Sequence, residues 1–169
     1  MTRGQLLLPV SHPGKGAAHA SLVLKMSVSL DGFVAPLDGS SDWVAAGRSE
    51  DGASWTLETL SNAGAHLIGA TTYAGWAGFW PGAAGPFAKP MNQIPKVVFS
   101  GSLTSADWPE TTIAGGDLTA AITRLKHERR DGYPVVLGAG KRLFTAPLTL
   151  EPTSTTVFSQ GAVAHVFTA

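Results

Sequence analysis

Short apolar runs alternate along this chain with stretches of helical periodicity, and this alternation constrains the fold more than any other feature. The apolar runs lie at residues 22–28, 66–68, 96–100 and 135–137, and turn-forming residues follow them. Runs of this length and composition are typical of strands that are buried on both faces of a sheet. We therefore expect these four strands, with residues 22–28 in the centre of the sheet.

The spacing of apolar residues between these runs predicts two amphipathic helices. The first occupies residues 51–64, where apolar residues fall at i, i+4 and i+7: Ala53, Leu57 and Leu60. The second begins at the N-cap residue Asp117 and ends at Gly132. Four residues form its predicted apolar face: Leu118, Ala121, Ile122 and Leu125.

Two further elements complete the predicted fold. A short helix that runs to Gly78 is expected to be capped by the hydroxyl of Thr71 or Thr72. Residues 155–159 and 162–167 flank a Gln-Gly turn and predict a hairpin. The sequence therefore predicts an α/β protein with a mostly parallel sheet, helices on both faces and an antiparallel C-terminal hairpin at the edge.

Composition narrows the class of protein. The 169 residues suit one domain, and 44% apolar against 14% charged residues exclude a disordered chain. Twelve basic residues balance twelve acidic ones, so no net field favours nucleic acid or an anionic membrane. Without cysteine, disulfides, thiolate metal sites and thiol catalysis are excluded, and the five histidines lack metal-ligand spacing. We expect a flexible tail over residues 1–20, one domain over residues 21–169, and no membrane-spanning segment.

The candidate chemistry lies where the predicted strands end. Ligands of parallel sheets bind beyond the carboxyl ends of the strands, which here carry residues 29–33, 69–72, 100–102 and 137–141. The second and fourth of these segments lead from a strand into a helix, and a helix start with nearby hydroxyl or lysine groups favours phosphate. A tight turn is the better explanation of any one of these glycine-containing segments taken alone, but their coincidence on one edge favours a ligand site.

Individual side chains leave two interpretations open. Asp31 could orient a polar substrate or transfer a proton, but its spacing alone favours the aspartate of an Asp-Gly turn. Four aromatic residues could stack on a planar ring, although packing in the core or in a lid is the more common role: Trp43, Trp76, Phe79 and Trp80.

Several motifs of the chain occur together in one known family. Residues 26–35 read Met-Ser-Val-Ser-Leu-Asp-Gly-Phe-Val-Ala, and residues 38–43 continue the same motif. Residues 68–73 and 96–100 follow, and residues 134–144 read Pro-Val-Val-Leu-Gly-Ala-Gly-Lys-Arg-Leu-Phe. Together they resemble the riboflavin-biosynthesis reductase domain, a branch of the dihydrofolate reductase-like superfamily. The resemblance covers the whole predicted domain.

The resemblance implies a dihydrofolate reductase-like fold, NADPH as hydride donor and a homodimer in the cytoplasm. It places Asp31 in catalysis. It implies that five residues bind substrate: Leu30, Asp31, Phe33, Trp43 and Trp80. It implies that five residues meet the cofactor: Val28 beside the nicotinamide, Gly69, Thr71 and Thr72 at the phosphates, and Ser100 near the adenosine phosphate. Gly138, Gly140 and Lys141 would form a substitute phosphate turn if residues 134–148 take the place of a missing unit.

Three departures from the family pattern bear on this expectation. The family usually has arginine where this chain has Ala70, and arginine or lysine where it has Gly101. After Gly132 the family also has a further strand, a phosphate turn and a helix, a unit of roughly 30 residues that this chain lacks. Either residues 134–148 move into the vacant central place, or a gap stays open and invites pairing with a second chain.

We expect an NADPH-dependent reductase of a small heterocyclic or carbonyl compound, such as a pyrimidine-like riboflavin precursor. The alternative is a protein of the same fold that has lost its cofactor and serves as an oligomeric binding or structural unit. Ala70 and Gly101 favour the alternative, because both replace cations that would pair with phosphate. The retained residues 27–33, together with Thr71 and Thr72, favour the enzyme.

Overall fold

The computed structural model describes residues 22–29, 34, 44, 48–128, 133–137 and 149–168 of the chain. This part of the chain forms seven strands, four α-helices and the short 3₁₀ helix Trp80–Gly82. The strands are β1 (Val23–Lys25), β2 (Ala63–Gly69), β3 (Lys96–Phe99), β4 (Thr111–Ala114), β5 (Tyr133–Leu137), β6 (Glu151–Val157) and β7 (Val163–Thr168). The helices are α1 (Glu50–Ser61), α2 (Ala70–Trp76), α3 (Ala88–Gln93) and α4 (Leu118–Glu128).

Five strands form one sheet in the order β1-β5-β2-β3-β4, and every neighbouring pair is parallel. Gly69 pairs with Phe99, which in turn pairs with Ala114, so β2, β3 and β4 end in one row. Lys25 pairs with Leu137 on the other side of the sheet. Because parallel strands share their carboxyl edge, the carboxyl ends of these five strands lie along a single edge of the sheet.

The expectation that residues 22–28 lie in the centre of the sheet is wrong for the described residues. Only Val23–Lys25 is paired, and it pairs with β5 alone. Leu22, Leu24 and Val28 are between 40% and 49% exposed, as expected of an edge strand. The central place is taken by β5, because this strand pairs in parallel with both β1 and β2.

The position of β5 also decides between the two outcomes expected for the shortened chain. Residues 133–137 join β1 to β2, so no gap separates these two strands. Leu137, the last residue of β5, is 5% exposed and belongs to the main core. The first residues of the late segment, up to Leu137, therefore occupy the central place, while residues 138–148 lie outside the described residues.

Helices cover both faces of the sheet, as predicted. On one face, Leu60 of α1, Tyr73 of α2 and Met91 of α3 pack with Ile68 and Val98 of the central strands. On the other face, α4 contributes Leu125 and Ile122 to a cluster with three residues of β2 and β3: Ala65, Leu67 and Val97. The sheet thus lies between a larger apolar layer and a smaller one.

The structure confirms one predicted helix cap, corrects a second, and corrects the burial expected of one helical residue. The predicted end of α4 at Gly132 lies outside the described residues. Asp117 caps α4, since its Oδ1 accepts from the amide of Thr119 at 2.8 Å. Leu118 was expected on the buried face but is 51% exposed, because the first residue of α4 lies at the edge of the sheet. The N-cap of α2 is Gly69 and makes no side-chain hydrogen bond, so the expected threonine cap is wrong. Thr71 and Thr72 lie inside the helix, past the capping position.

The predicted C-terminal hairpin is present, with β6 antiparallel to β7. In the described residues it forms its own two-stranded sheet instead of the expected edge of the main sheet. Its turn packs on the start of α1, where Asp51 accepts from the amide of Ser159 at 2.9 Å and from its hydroxyl at 3.0 Å. The rings of Trp55 and Phe158 lie 6.0 Å apart beside this contact.

Candidate functional site

The candidate site is the carboxyl edge of the five-stranded sheet. Gly69, Phe99 and Ala114 end their strands side by side, and the amide of Ser100 donates to the carbonyl of Ala114 at 3.2 Å. A Cβ added to Gly115 would lie 3.6 Å from the Ser100 carbonyl oxygen. The starts of three connections therefore meet at this edge: residues 70–72, 100–103 and 115–117.

The first of these connections is the opening turn of α2. The amide groups at the start of any helix lack acceptors within the helix, and Gly69 supplies no capping side chain for them. Thr71 is exposed and Thr72 is half-buried. Nothing lies within 4 Å of a Cβ built on Gly69, so an incoming group could approach the backbone closely here. Ala70 occupies the first helical position and offers no charge.

The second connection is a turn organised by Ser100. Its Oγ accepts from the amide of Leu103 at 2.9 Å and from that of Ser102 at 3.2 Å. These bonds hold the loop start in place and leave the hydroxyl hydrogen available to donate. Gly101 is exposed, and nothing lies within 4 Å of a Cβ built there.

An open pocket of about 460 Å³ lies where β4 ends and α4 begins. Seven residues line it: Ile113, Ala114, Gly115, Asp117, Ala120, Ala121 and Arg124. The small side chains of Ala120 and Ala121 leave a low apolar wall beside Ile113. The charged residues Asp117 and Arg124 also line the pocket, so its lining combines apolar and polar groups. The pocket adjoins the Ser100 turn through Gly115.

Lys25 is a candidate that the sequence interpretation missed. It is the last residue of β1, it is half-buried, and its Nζ donates to Ser27 Oγ at 3.4 Å. Burial lowers the pKa of this ammonium group, and the positive charge of Arg48 lowers it further. A lysine inside an apolar run at a strand end was the available signal. Such a group can hold an anion or share a proton with a ligand.

Seven of the predicted site residues lie outside the described residues and stay predictions: Leu30, Asp31, Phe33, Trp43, Gly138, Gly140 and Lys141. Val28 follows β1 and is 49% exposed. Trp80 is half-buried against the main core, with its ring 5.0 Å from that of Phe79 and 6.4 Å from that of Trp76. These contacts show that Trp80 packs on the core, and its expected role in substrate binding stays a prediction.

Other kinds of site find no support in the described ranges. No group of three or more histidine, aspartate or glutamate side chains there could hold a metal ion. No helix within those ranges has the length and hydropathy to cross a membrane.

A family model described as the RibD C-terminal domain matches residues 20–130. No curated protein matches the chain. Several solved structures share its fold. A protein described as a riboflavin biosynthesis protein, from Shewanella sp. PV-4, superposes with a TM-score of 0.68 at 15% identity, covering 88% of this chain and 97% of the other.

Two further structures are similar. A diaminohydroxyphosphoribosylaminopyrimidine deaminase/5-amino-6-(5-phosphoribosylamino)uracil reductase from Thermotoga maritima gives a TM-score of 0.57 at 16% identity. The match covers 87% of this chain but only 56% of that two-function protein. A pyrimidine reductase-like protein from Corynebacterium diphtheriae gives a TM-score of 0.56 at 11% identity, and the match covers 88% of this chain and 91% of the other.

Proposed function

Because the chain belongs to the RibD C-terminal domain family, we propose that it is a reductase which transfers hydride from NADPH to a small heterocyclic or carbonyl substrate. A pyrimidine-like precursor of riboflavin is the substrate class that fits best, since the Thermotoga maritima relative is named for reduction of such a compound. The enzyme would act in the cytoplasm.

The observation that carries the proposal is the row of strand ends at the carboxyl edge. Gly69, Phe99 and Ala114 bring an uncapped helix start, a serine turn and an open pocket together. Amides and hydroxyls suit phosphate oxygens, and an open pocket with both apolar and polar lining could take the ring of a nucleoside. The residues present therefore fit the phosphate and adenosine parts of a dinucleotide, with fewer cations than the family usually supplies.

In this proposal the chain's own residues bind, orient and exchange protons. When bound, NADPH would supply the hydride, and the protein supplies position and electrostatics. Thr71, Thr72 and Ser100 would donate hydroxyl hydrogens to phosphate oxygens. Lys25 would lie at the substrate end of the edge, where its half-buried ammonium could hold an anionic oxygen or donate a proton. Asp31 would orient the substrate or complete the proton transfer.

A second candidate function is favoured by the uncharged positions of the same edge. Ala70 opens α2 and Gly101 lies in the Ser100 turn, and neither has a side chain that can pair with a phosphate. Neutral amides only partly replace the charge-assisted bonds that arginine makes. A chain with this edge could keep the fold as an oligomeric binding or structural unit without turnover.

Titration with NADPH, followed by cofactor fluorescence and with NADH as control, separates the two candidates. We expect binding that is weak for a reductase and stronger for NADPH than for NADH. Ala70→Arg and Gly101→Arg should each tighten binding by about tenfold or more, because a hydrogen bond to a charged group contributes about 1.5–3 kcal/mol. The gain should shrink at high salt. Open space around Gly101 admits the longer side chain.

No binding by the unchanged protein and none by the double arginine variant would contradict the reductase. Tight binding by the unchanged protein would show that other groups, such as those of residues 138–141, replace the missing cations.

A homodimer forms part of the proposal. Leu24 on β1 and its neighbours Leu22 and Val28 are exposed, as are Val157 and Phe167 on the hairpin. Exposed apolar side chains on strand edges favour association with a second copy. Sedimentation should therefore give a dimer, and a folded monomer at high concentration would count against this part of the proposal.

A further inference from the structure

The phenol of Tyr73 links two of the connections that form the carboxyl edge. Tyr73 lies on α2 and is 7% exposed. Its hydroxyl oxygen accepts from the amide of Asp107 at 2.9 Å and from that of Trp108 at 3.4 Å. Asp107 and Trp108 belong to the loop 101–110, which begins at the Ser100 turn and leads into β4.

Trp108 anchors the far end of this loop. Its side chain is 2% exposed, its Nε1 donates to Asn92 Oδ1 at 2.8 Å, and its ring lies 6.5 Å from that of Tyr73. The buried Nζ of Lys96 lies 4.7 Å from the centre of the ring. The side chain of Trp108 is therefore fixed by α3 and β3, while its amide is held by α2 through Tyr73.

The near end of the same loop carries the Ser100 turn. Gly69 is paired with Phe99, so the opening turn of α2 and the Ser100 turn begin at neighbouring positions on the carboxyl edge. Leu103 and Ala106 pack on the main core between the two ends of the loop. A bond from α2 to Asp107 and Trp108 thus limits how far the loop can move from the start of that helix.

We propose that Tyr73 is a positioning residue for the dinucleotide: its hydroxyl holds the loop 101–110 against α2 and so sets the spacing between the Ser100 turn and residues 70–72. This inference rests on the proposed function, because Tyr73 would act only through residues 70–72 and the Ser100 turn, the two segments that would meet the cofactor phosphates. Tyr73 itself would touch neither substrate nor cofactor.

Tyr73→Phe tests the proposal, because it removes the hydroxyl and keeps the ring. We expect the Kd and KM for NADPH to rise by about threefold to tenfold, the range expected for the loss of one or two neutral hydrogen bonds. The kcat at saturating NADPH should change by less than about twofold. Hydrogen exchange of residues 101–108 should become faster in the absence of cofactor.

Thr56→Val is the matched control. It removes a hydroxyl that donates to the Gly52 carbonyl at 3.0 Å inside α1, away from the loop. A rise in the NADPH Kd of similar size in this control would overturn the role of Tyr73, because the effect would then follow general stability. Unaltered NADPH binding or unaltered loop exchange in Tyr73→Phe would also overturn it. A failure of the unchanged protein to bind NADPH would instead overturn the proposed function, on which the role depends.

Discussion

His66 and Lys96 are paired neighbours on adjacent strands, and both side chains are fully buried. Lys96 donates to three carbonyls at the end of α3, each at 3.0 Å: those of Met91, Asn92 and Ile94. Burial lowers the pKa of Lys96 to about 8, although the negative charge of Glu110 acts in the opposite direction. These bonds satisfy the ammonium group and close the C-terminal end of a short helix.

His66 is less well satisfied than its neighbour. Its Nε2 lies 3.5 Å from the Leu60 carbonyl, and its buried Nδ1 has no hydrogen-bond partner. Burial lowers the pKa of His66 from 6.5 to about 4, the Leu60 carbonyl opposes this shift, and the charge of Lys96 lowers the pKa further. The histidine is therefore neutral in the folded protein at pH 7.

Acid should destabilise the fold through His66. In the unfolded chain His66 binds a proton below pH 6.5, whereas in the folded chain it does so only near pH 4. The free energy of unfolding should therefore be highest above pH 6.5 and should fall as the pH is lowered toward 4. The loss should be on the order of 3 kcal/mol, at 1.36 kcal/mol per pKa unit. Urea unfolding at several pH values should show this loss, and His66→Leu should remove most of it.

His165→Gln is the control for this experiment, because His165 is exposed on the hairpin. The control should keep the pH dependence of the unchanged protein. Equal pH dependence in His66→Leu and in the unchanged protein would refute the assignment to His66.

Side chains on strand ends could be predicted from sequence, whereas buried polar contacts could not. Ser100 and Gly69 were predicted at the carboxyl edge, because a strand followed by a turn can be recognised locally. Lys25 was missed, because its half-buried position depends on the strand that pairs beside it. The contact between Tyr73 and Asp107 spans 34 residues of sequence, and no local pattern indicates it.

The hairpin of β6 and β7 packs on α1 through a small set of contacts. Asp51 is held as a carboxylate, because the Ser49 hydroxyl, and then the amide and hydroxyl of Ser159 and the amide of Gly52, lower its pKa to about 2. Gly52 allows the close approach, since a Cβ there would lie 3.3 Å from the Phe158 ring and 3.0 Å from Ser49 Oγ.

Replacing Gly52 should therefore have an unusual effect for a helical glycine. Alanine in place of glycine inside a helix normally stabilises by up to about 1 kcal/mol. Gly75→Ala in α2 should show such a gain, because nothing lies within 4 Å of the added Cβ. Gly52→Ala should gain nothing or lose about 1 kcal/mol, since the added methyl crowds Phe158. Thermal unfolding of both variants gives the comparison, and an equal gain at both positions would contradict the tight packing of the hairpin.

Elements marked by an apolar run, a helical spacing or a turn residue in the sequence were predicted, and elements without such a pattern were missed. The strands at 66–68 and 96–100, the helix after Asp117 and the hairpin are all present. The strand Thr111–Ala114 was missed, because it is short and half polar and gains its order by pairing with β3. The helix Ala88–Gln93 was missed, because it contains Pro90 and its end is closed by Lys96 from another element.

At the scale of the whole molecule, the sheet order depends on pairing between distant segments. The parallel α/β class followed from the alternation of strands and helices, and the match to the RibD C-terminal domain family agrees with it. The position of β5 between β1 and β2 could be expected only as one of two outcomes. Apolar runs predict that strands are buried but do not specify their neighbours, so β1 was wrongly expected in the centre.

The proposed function requires that NADPH binds at the carboxyl edge of the five-stranded sheet. Hydrogen exchange of the unchanged protein, measured with and without saturating NADPH, tests it most directly. If NADPH binds at this edge, exchange in residues 69–73, 100–103 and 113–121 should become slower, and exchange in residues 151–168 should not change. Unchanged exchange in all three edge segments, or slowing confined to the hairpin, would contradict it.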